Sequence, residues 1–102
     1  MDKLYNIFKN IKFSKDGEIE EKIYEDEGIK VIRTMSLDQV TGFYDQDELE
    51  IVFLLKGKAQ IVEYEDGRRL DLGEGDSLVI RPHEIHKVSW QEEAVWLCIF
   101  KK

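Results

Sequence analysis

Glu48-Leu49-Glu50-Ile51-Val52-Phe53-Leu54-Leu55-Lys56-Gly57 is the stretch whose reading decides the fold. In an extended chain successive side chains point to opposite faces, so one face carries Glu48, Glu50, Val52 and Leu54 and the other Leu49, Ile51, Phe53 and Leu55. Branched and aromatic residues favour a strand over 48–56, and Gly57 marks its junction with the next. From Ile51 onward both faces are apolar. Ala94-Val95-Trp96-Leu97-Cys98-Ile99-Phe100 has the same character. An antiparallel strand of a lone small barrel leaves one face polar. Two strands that are apolar on both faces therefore call for a second apolar layer, supplied by the N-terminal segment and by another copy of the chain, and a homodimer is expected.

Outward from this stretch, further short apolar runs predict strands at 29–36, 58–64, 69–72, 77–81, 86–90 and 94–100. Asp66-Gly67 suits a tight hairpin, and Gly73-Glu74-Gly75-Asp76 forms a second turn. The expected class is all-β. Leu4, Ile7, Phe8 and Ile11 stand at helical spacing and predict a short helix over 2–11, capped by Asp2. Residues 18–27 fit either a helical turn through Ile19 and Ile23 or an edge strand. With a single proline, Pro82, and no linker-like tract, no domain boundary is expected, and an N-terminal segment, 1–28, packs on the barrel, 29–102, or on a partner subunit.

The chain has 102 residues and a net charge of −7, which disfavours nucleic acid and anionic membrane surfaces, since both draw on clustered Lys and Arg. The run 51–55 is far short of the roughly 20 apolar residues that span a bilayer, and no signal-peptide core follows Met1-Asp2-Lys3, so a cytoplasmic protein is expected. Cys98 is the sole cysteine, which excludes an intrachain disulfide and any all-cysteine zinc site. Its apolar neighbours make it read as an inert buried thiol.

The segment from Gly42 to Phe100 resembles a small single-domain cupin. That family's first motif, G(X)5HXH(X)3-4E(X)6G, is matched in its E(X)6G half by Glu50 and Gly57, with Tyr44 and Gln46 standing where the two histidines belong. Its second, G(X)5PXG(X)2H(X)3N, is matched from Gly75-Asp76 to His86, with the proline displaced to Pro82, His83 in place of a glycine and Trp90 in place of the asparagine. The resemblance implies a double-stranded β-helix, that is, a jelly roll with a pocket inside the barrel. It places Tyr44, Gln46, Glu50 and His86 at a ligand pocket, and Arg81, before Pro82 at a strand end, reads either as a pocket contact for an anionic ligand or as a surface salt bridge. Of the family's four metal ligands it leaves Glu50 and His86, with Gln46 as an oxygen donor, for a divalent ion such as Fe, Mn, Ni or Zn.

His83 and His86 are three apart, a spacing that points them to opposite faces of a continuous strand, so His83 reads as a loop-rim residue. Glu50 sits among apolar neighbours and must be paired, protonated or ligand-facing. A purely structural pairing with His86 or Arg81 and a ligand-facing role both satisfy that demand. Trp90 and Trp96 read as core, with Trp90 sharing the face of His86 and Val88, and the acidic run 18–21 reads as a solvated face. Three functions follow in order of expectation. The first is binding of a polar small molecule, the second a metal-dependent dioxygenase or isomerase, and the third a dimeric scaffold or sensor with a filled pocket.

Overall fold

A computed structural model describes residues 4–57 and 60–102. Eight strands follow in order: β1 (Ile19–Glu25), β2 (Ile29–Ser36), β3 (Leu49–Lys56), β4 (Gln60–Tyr64), β5 (Arg69–Leu72), β6 (Ser77–Ile80), β7 (His86–Trp90) and β8 (Ala94–Lys101). They form a five-stranded sheet, β1-β2-β8-β3-β6, and a three-stranded sheet, β5-β4-β7, with antiparallel pairing throughout. The expected all-β jelly roll is thus observed. The first two residues of the strand expected at 58–64, Lys58 and Ala59, lie outside the described residues.

β3 alternates as its sequence dictates. Glu50, Val52 and Leu54 are buried, while Leu49, Ile51, Phe53 and Leu55 are partly exposed on the outer face. Val52, Leu54, Val62, Tyr64, Leu72, Ile80, Ala94 and Trp96 make the core between the sheets. Leu54 is fully buried, which contributes about 1.5–3 kcal/mol. The Gly73–Asp76 turn is stitched to β3, because Leu54 N–H donates to the Asp76 carbonyl (2.9 Å) and Gly75 N–H to the Leu54 carbonyl (2.7 Å). Gly57 adopts φ +133°, and a Cβ there would lie 3.1 Å from the Ala94 Cα, so the β3 to β4 junction needs glycine.

Three sequence expectations change. Residues 18–27 resolve as an edge strand: β1 pairs with β2, and a bulge at Ile23 puts Tyr24 opposite Val31. β1 also lies within the stretch assigned to the N-terminal segment, which therefore contributes a strand to the larger sheet.

The helix expected over 2–11 is not formed among residues 4–11, and Asp2 lies outside the described residues. The carbonyls that a helix would use internally are taken by the buried Arg33, whose Nη1 donates to the carbonyls of Ile7 (3.0 Å) and Lys9 (2.6 Å). Asn10 at φ +57° ends the turn. This segment packs on the outer face of β2, over Arg33 and Met35, and so covers part of the apolar layer that the sequence demanded.

Trp90, expected on the face of His86 and Val88, is 42% exposed. β4 pairs Val62 with Val88 but Ile61 with Trp90, so Ser89 is an extra residue that rotates Trp90 to the opposite face. Trp96 is buried as expected, and its Nε1–H donates to Gln91 Oε1 at 3.1 Å.

Candidate functional site

A cavity of about 270 Å³ opens between the sheets. Alternation decides which side chains reach it. From β3 it receives Glu50 and Val52, from β8 Trp96, Cys98 and Phe100, and from β2 Lys30, Ile32 and Thr34. β7 contributes His86 and Val88. Register agrees, since Glu50 lies opposite both Ile80 and Phe100, which also line the cavity.

The loop before β3 completes the wall because β7 holds it. Tyr44 N–H donates to the His86 carbonyl (2.7 Å) and His86 N–H returns a bond to the Tyr44 carbonyl (3.2 Å). Thr41 Oγ1 accepts from the Val88 amide at 2.9 Å, and His83 N–H donates to the Gln46 carbonyl at 2.8 Å. Four residues expected at the pocket, Tyr44, Gln46, Glu50 and His86, line this one cavity. Arg81 does not. Ile80, the last residue of β6, points inward opposite Glu50, so the next residue points outward; Arg81 is exposed, and its amide bonds Glu84 Oε1 at 2.7 Å.

His86 is 5% exposed, and its Nδ1–H donates to the Glu84 carbonyl at 2.8 Å. That bond orients the ring and leaves Nε2 as its unspent nitrogen. The ring lies between two tyrosines, with centroid separations of 5.8 Å to Tyr44 and 6.4 Å to Tyr64. Glu50 is 7% exposed, and its Oε1 accepts from Gln46 Nε2 at 3.2 Å. Burial pushes the Glu50 carboxyl above its ordinary range, opposed by the Gln46 hydrogen bond, by the nearby His86 ring and by the Cys98 thiol. Burial, followed by the charge of Glu50, likewise raises the Cys98 thiol well above its usual value. Cys98 is thus protonated, as an inert thiol should be, yet it faces the cavity.

His83 lies in the loop after Pro82 with φ +62° and does not line the cavity. Its Nδ1 is 2.7 Å from Asp45 Oδ1 and its Nε2 3.2 Å from Asp47 Oδ1. The Asp45 hydrogen bond and charge raise its pKa.

Sequence reasoning missed Glu18 and Glu20, which line the cavity although the run 18–21 reads as a solvated face. Their two-residue spacing is the signal: on β1 the odd members Ile19 and Glu21 face outward, where Glu21 pairs with Arg33.

Among the described residues, no three His, Cys, Asp or Glu side chains stand close enough to share a metal ion. A resident catalytic divalent ion generally takes three protein ligands. His86, Glu50 and Gln46 bring a single imidazole and a neutral amide, a weaker donor set than the two or three imidazoles that such sites commonly use.

The family model described as Cupin domain matches residues 39–100. The chain is 34% identical over 68 residues to a 3-hydroxyanthranilate 3,4-dioxygenase of Cupriavidus pinatubonensis, covering 65% of this chain and 36% of the relative. It is 27% identical over 67 residues to an L-ectoine synthase of Rhodococcus opacus, covering 66% of this chain and 51% of that protein. The chain thus spans about a third to a half of the length of these curated relatives. A crystal structure from Ralstonia eutropha JMP134, named provisionally as a mannose-6-phosphate isomerase, superposes with a TM-score of 0.91 at 27% identity, over 99% of both chains.

Proposed function

The chain belongs to the cupin family, and on that premise we propose that it is a binding module whose barrel cavity holds a polar small molecule. The observation that carries this reading is the pairing of an open cavity with two polar side chains more than nine-tenths buried in its wall, Glu50 and His86. Burying such groups is costly unless they are satisfied, and a ligand that engages them recovers the cost. The open volume disfavours a scaffold with a filled pocket.

A thermal-shift panel of sugars, organic acids, nucleosides and amines tests the reading. Ligand at about 100 times its dissociation constant adds about 2.7 kcal/mol, a readily detected rise in melting temperature. A panel without a single shift would retire it.

A metal-dependent dioxygenase or isomerase is the second reading. The Nδ1 bond from His86 to a backbone carbonyl favours it, because that arrangement also orients metal-binding imidazoles. Fe, Mn, Ni, Cu and Zn measured in protein purified without a polyhistidine tag test it. Stoichiometric metal that disappears in His86→Ala would replace the binding reading with this one.

The protein is also proposed to be a cytoplasmic homodimer. No helix among the described residues is long and apolar enough to cross a membrane. Beyond the reach of the N-terminal segment, Ile51, Phe53, Leu97 and Ile99 remain partly exposed on the outer face of the larger sheet, beside Val79 at 48%. A second copy that buries this strip supplies the rest of the apolar layer.

A further inference from the structure

We infer that the cavity takes a small organic cation, an ammonium or amidinium group carried on a compact apolar body. This deepens the binding reading and rests on it.

The argument starts from charge. Three carboxylates, Glu18, Glu20 and Glu50, stand in the cavity wall against one lysine, Lys30, whose Nζ lies 4.8 Å from the centre of the Phe100 ring. Glu18 Oε2 accepts from the Ser36 hydroxyl and Glu50 Oε1 from Gln46, whereas no described residue bonds or pairs with Glu20. An anionic ligand in the cavity would be repelled by these carboxylates. That includes a phosphate ester.

Hydrogen-bonding capacity points the same way. His86 Nε2 has no hydrogen-bond partner among the described residues and belongs to a side chain 95% removed from solvent, whose Nδ1 is already given to the Glu84 carbonyl. The Gln46 amide is already given to the Glu48 carbonyl (3.4 Å) and to Glu50. Beside it the Glu18 and Glu20 carboxylates keep accepting capacity to spare, which a ligand bringing N–H donors would use. The remaining wall, Ile32, Val52, Ile80 and Trp96, suits an apolar body, and the Tyr44 ring at the rim attracts a cation.

The test uses three compounds of one shape and different charge: benzylamine, benzyl alcohol and benzoate, titrated calorimetrically near neutral pH and at low ionic strength. Benzylamine is expected to bind about tenfold more tightly than the alcohol or better, with no saturable heat from benzoate. In Glu18→Gln/Glu20→Gln the preference for the amine shrinks about threefold or more, while affinity for the alcohol holds. Glu20 is exposed and glutamine retains the shape of both side chains, so an unliganded melting temperature like that of wild type confirms that the variant folds. Equal or tighter binding of benzoate or benzyl alcohol overturns the inference, as does amine binding unchanged in the double variant. If none of the three binds, the wider thermal-shift panel decides. Hits confined to neutral or anionic compounds overturn the cation assignment and leave the binding reading standing, hits among alkyl, aryl or guanidino cations support both, and a panel with no hit removes both.

Discussion

Tyr44 and His86 exchange two backbone hydrogen bonds, and their rings lie 5.8 Å apart with the planes inclined at 44°. This isolated bridge joins the loop before β3 to the first residue of β7. It sets a half-exposed phenol at the rim beside a buried imidazole in the wall, so the mouth of the cavity is held by the same contacts that orient its polar groups.

Thr41 extends that junction, because its Oγ1 accepts from the buried-side amide of Val88. Thr41→Val keeps the shape and leaves the amide without this acceptor, which should cost about 1–3 kcal/mol. Chemical denaturation reads the loss. Faster hydrogen exchange at the Val88 amide locates it.

The N-terminal segment depends on Arg33, which is 1% exposed and reaches the Ile7 and Lys9 carbonyls as well as the Glu21 carboxylate. Arg33→Met fills similar volume but leaves those acceptors unpaired, and should destabilise the fold by about 3 kcal/mol. Limited proteolysis should then cut within residues 5–12 before any other site. Unchanged stability and unchanged protease resistance would show that the segment is held by something else.

Glu50 carries a pH dependence of defined sign. Its folded-state carboxyl is raised by burial, so the folded protein binds the proton more tightly than the unfolded chain does. Stability is accordingly highest below the ordinary carboxylate range and falls as pH rises from there through the elevated folded value. Glu50→Gln, which keeps an acceptor for Gln46, removes this component: the variant should gain on wild type as pH rises from about 4 to 8, measured by denaturation at each pH.

His83 behaves in the opposite chemical sense, with Asp45 and Asp47 favouring its charged form. Its contribution is fully present below the ordinary histidine range and is lost as pH rises through the elevated value. An NMR titration should place His83 above about 6.5, and Asp45→Asn should bring it down. A His83 titration unaffected by Asp45→Asn would contradict the geometry.

The strands were legible because branched and aromatic residues crowd 48–56 and 94–100, and the cavity residues Glu50 and His86 came from their motif positions. Three features were not. The contact that competes with a helix over 4–11 comes from Arg33, 26 residues beyond Ile7, and no local pattern announces it. Trp90 left the inner face because of one extra residue at Ser89, and a bulge leaves no signature in side-chain type. Glu18 and Glu20 were hidden by their neighbours: in a run of acids, alternation shows no polarity contrast even where one face lines a cavity and the other pairs with Arg33.

The outer face gives an oligomer prediction. Light scattering at micromolar concentration should return twice the 12.1 kDa chain mass, and Val79→Glu, at the exposed end of the apolar strip, should shift the protein toward monomer. A wild-type monomer would mean that the N-terminal segment alone satisfies the sheet.

The account stands or falls on the cavity, and the most direct measurement is an NMR titration of the labelled protein with the compound giving the largest thermal shift. Saturable perturbations are predicted at Gln46, Glu50, His86 and Cys98. Perturbations confined to the separate surface groove of Tyr64, Arg68 and His83, or none at any concentration, would contradict it.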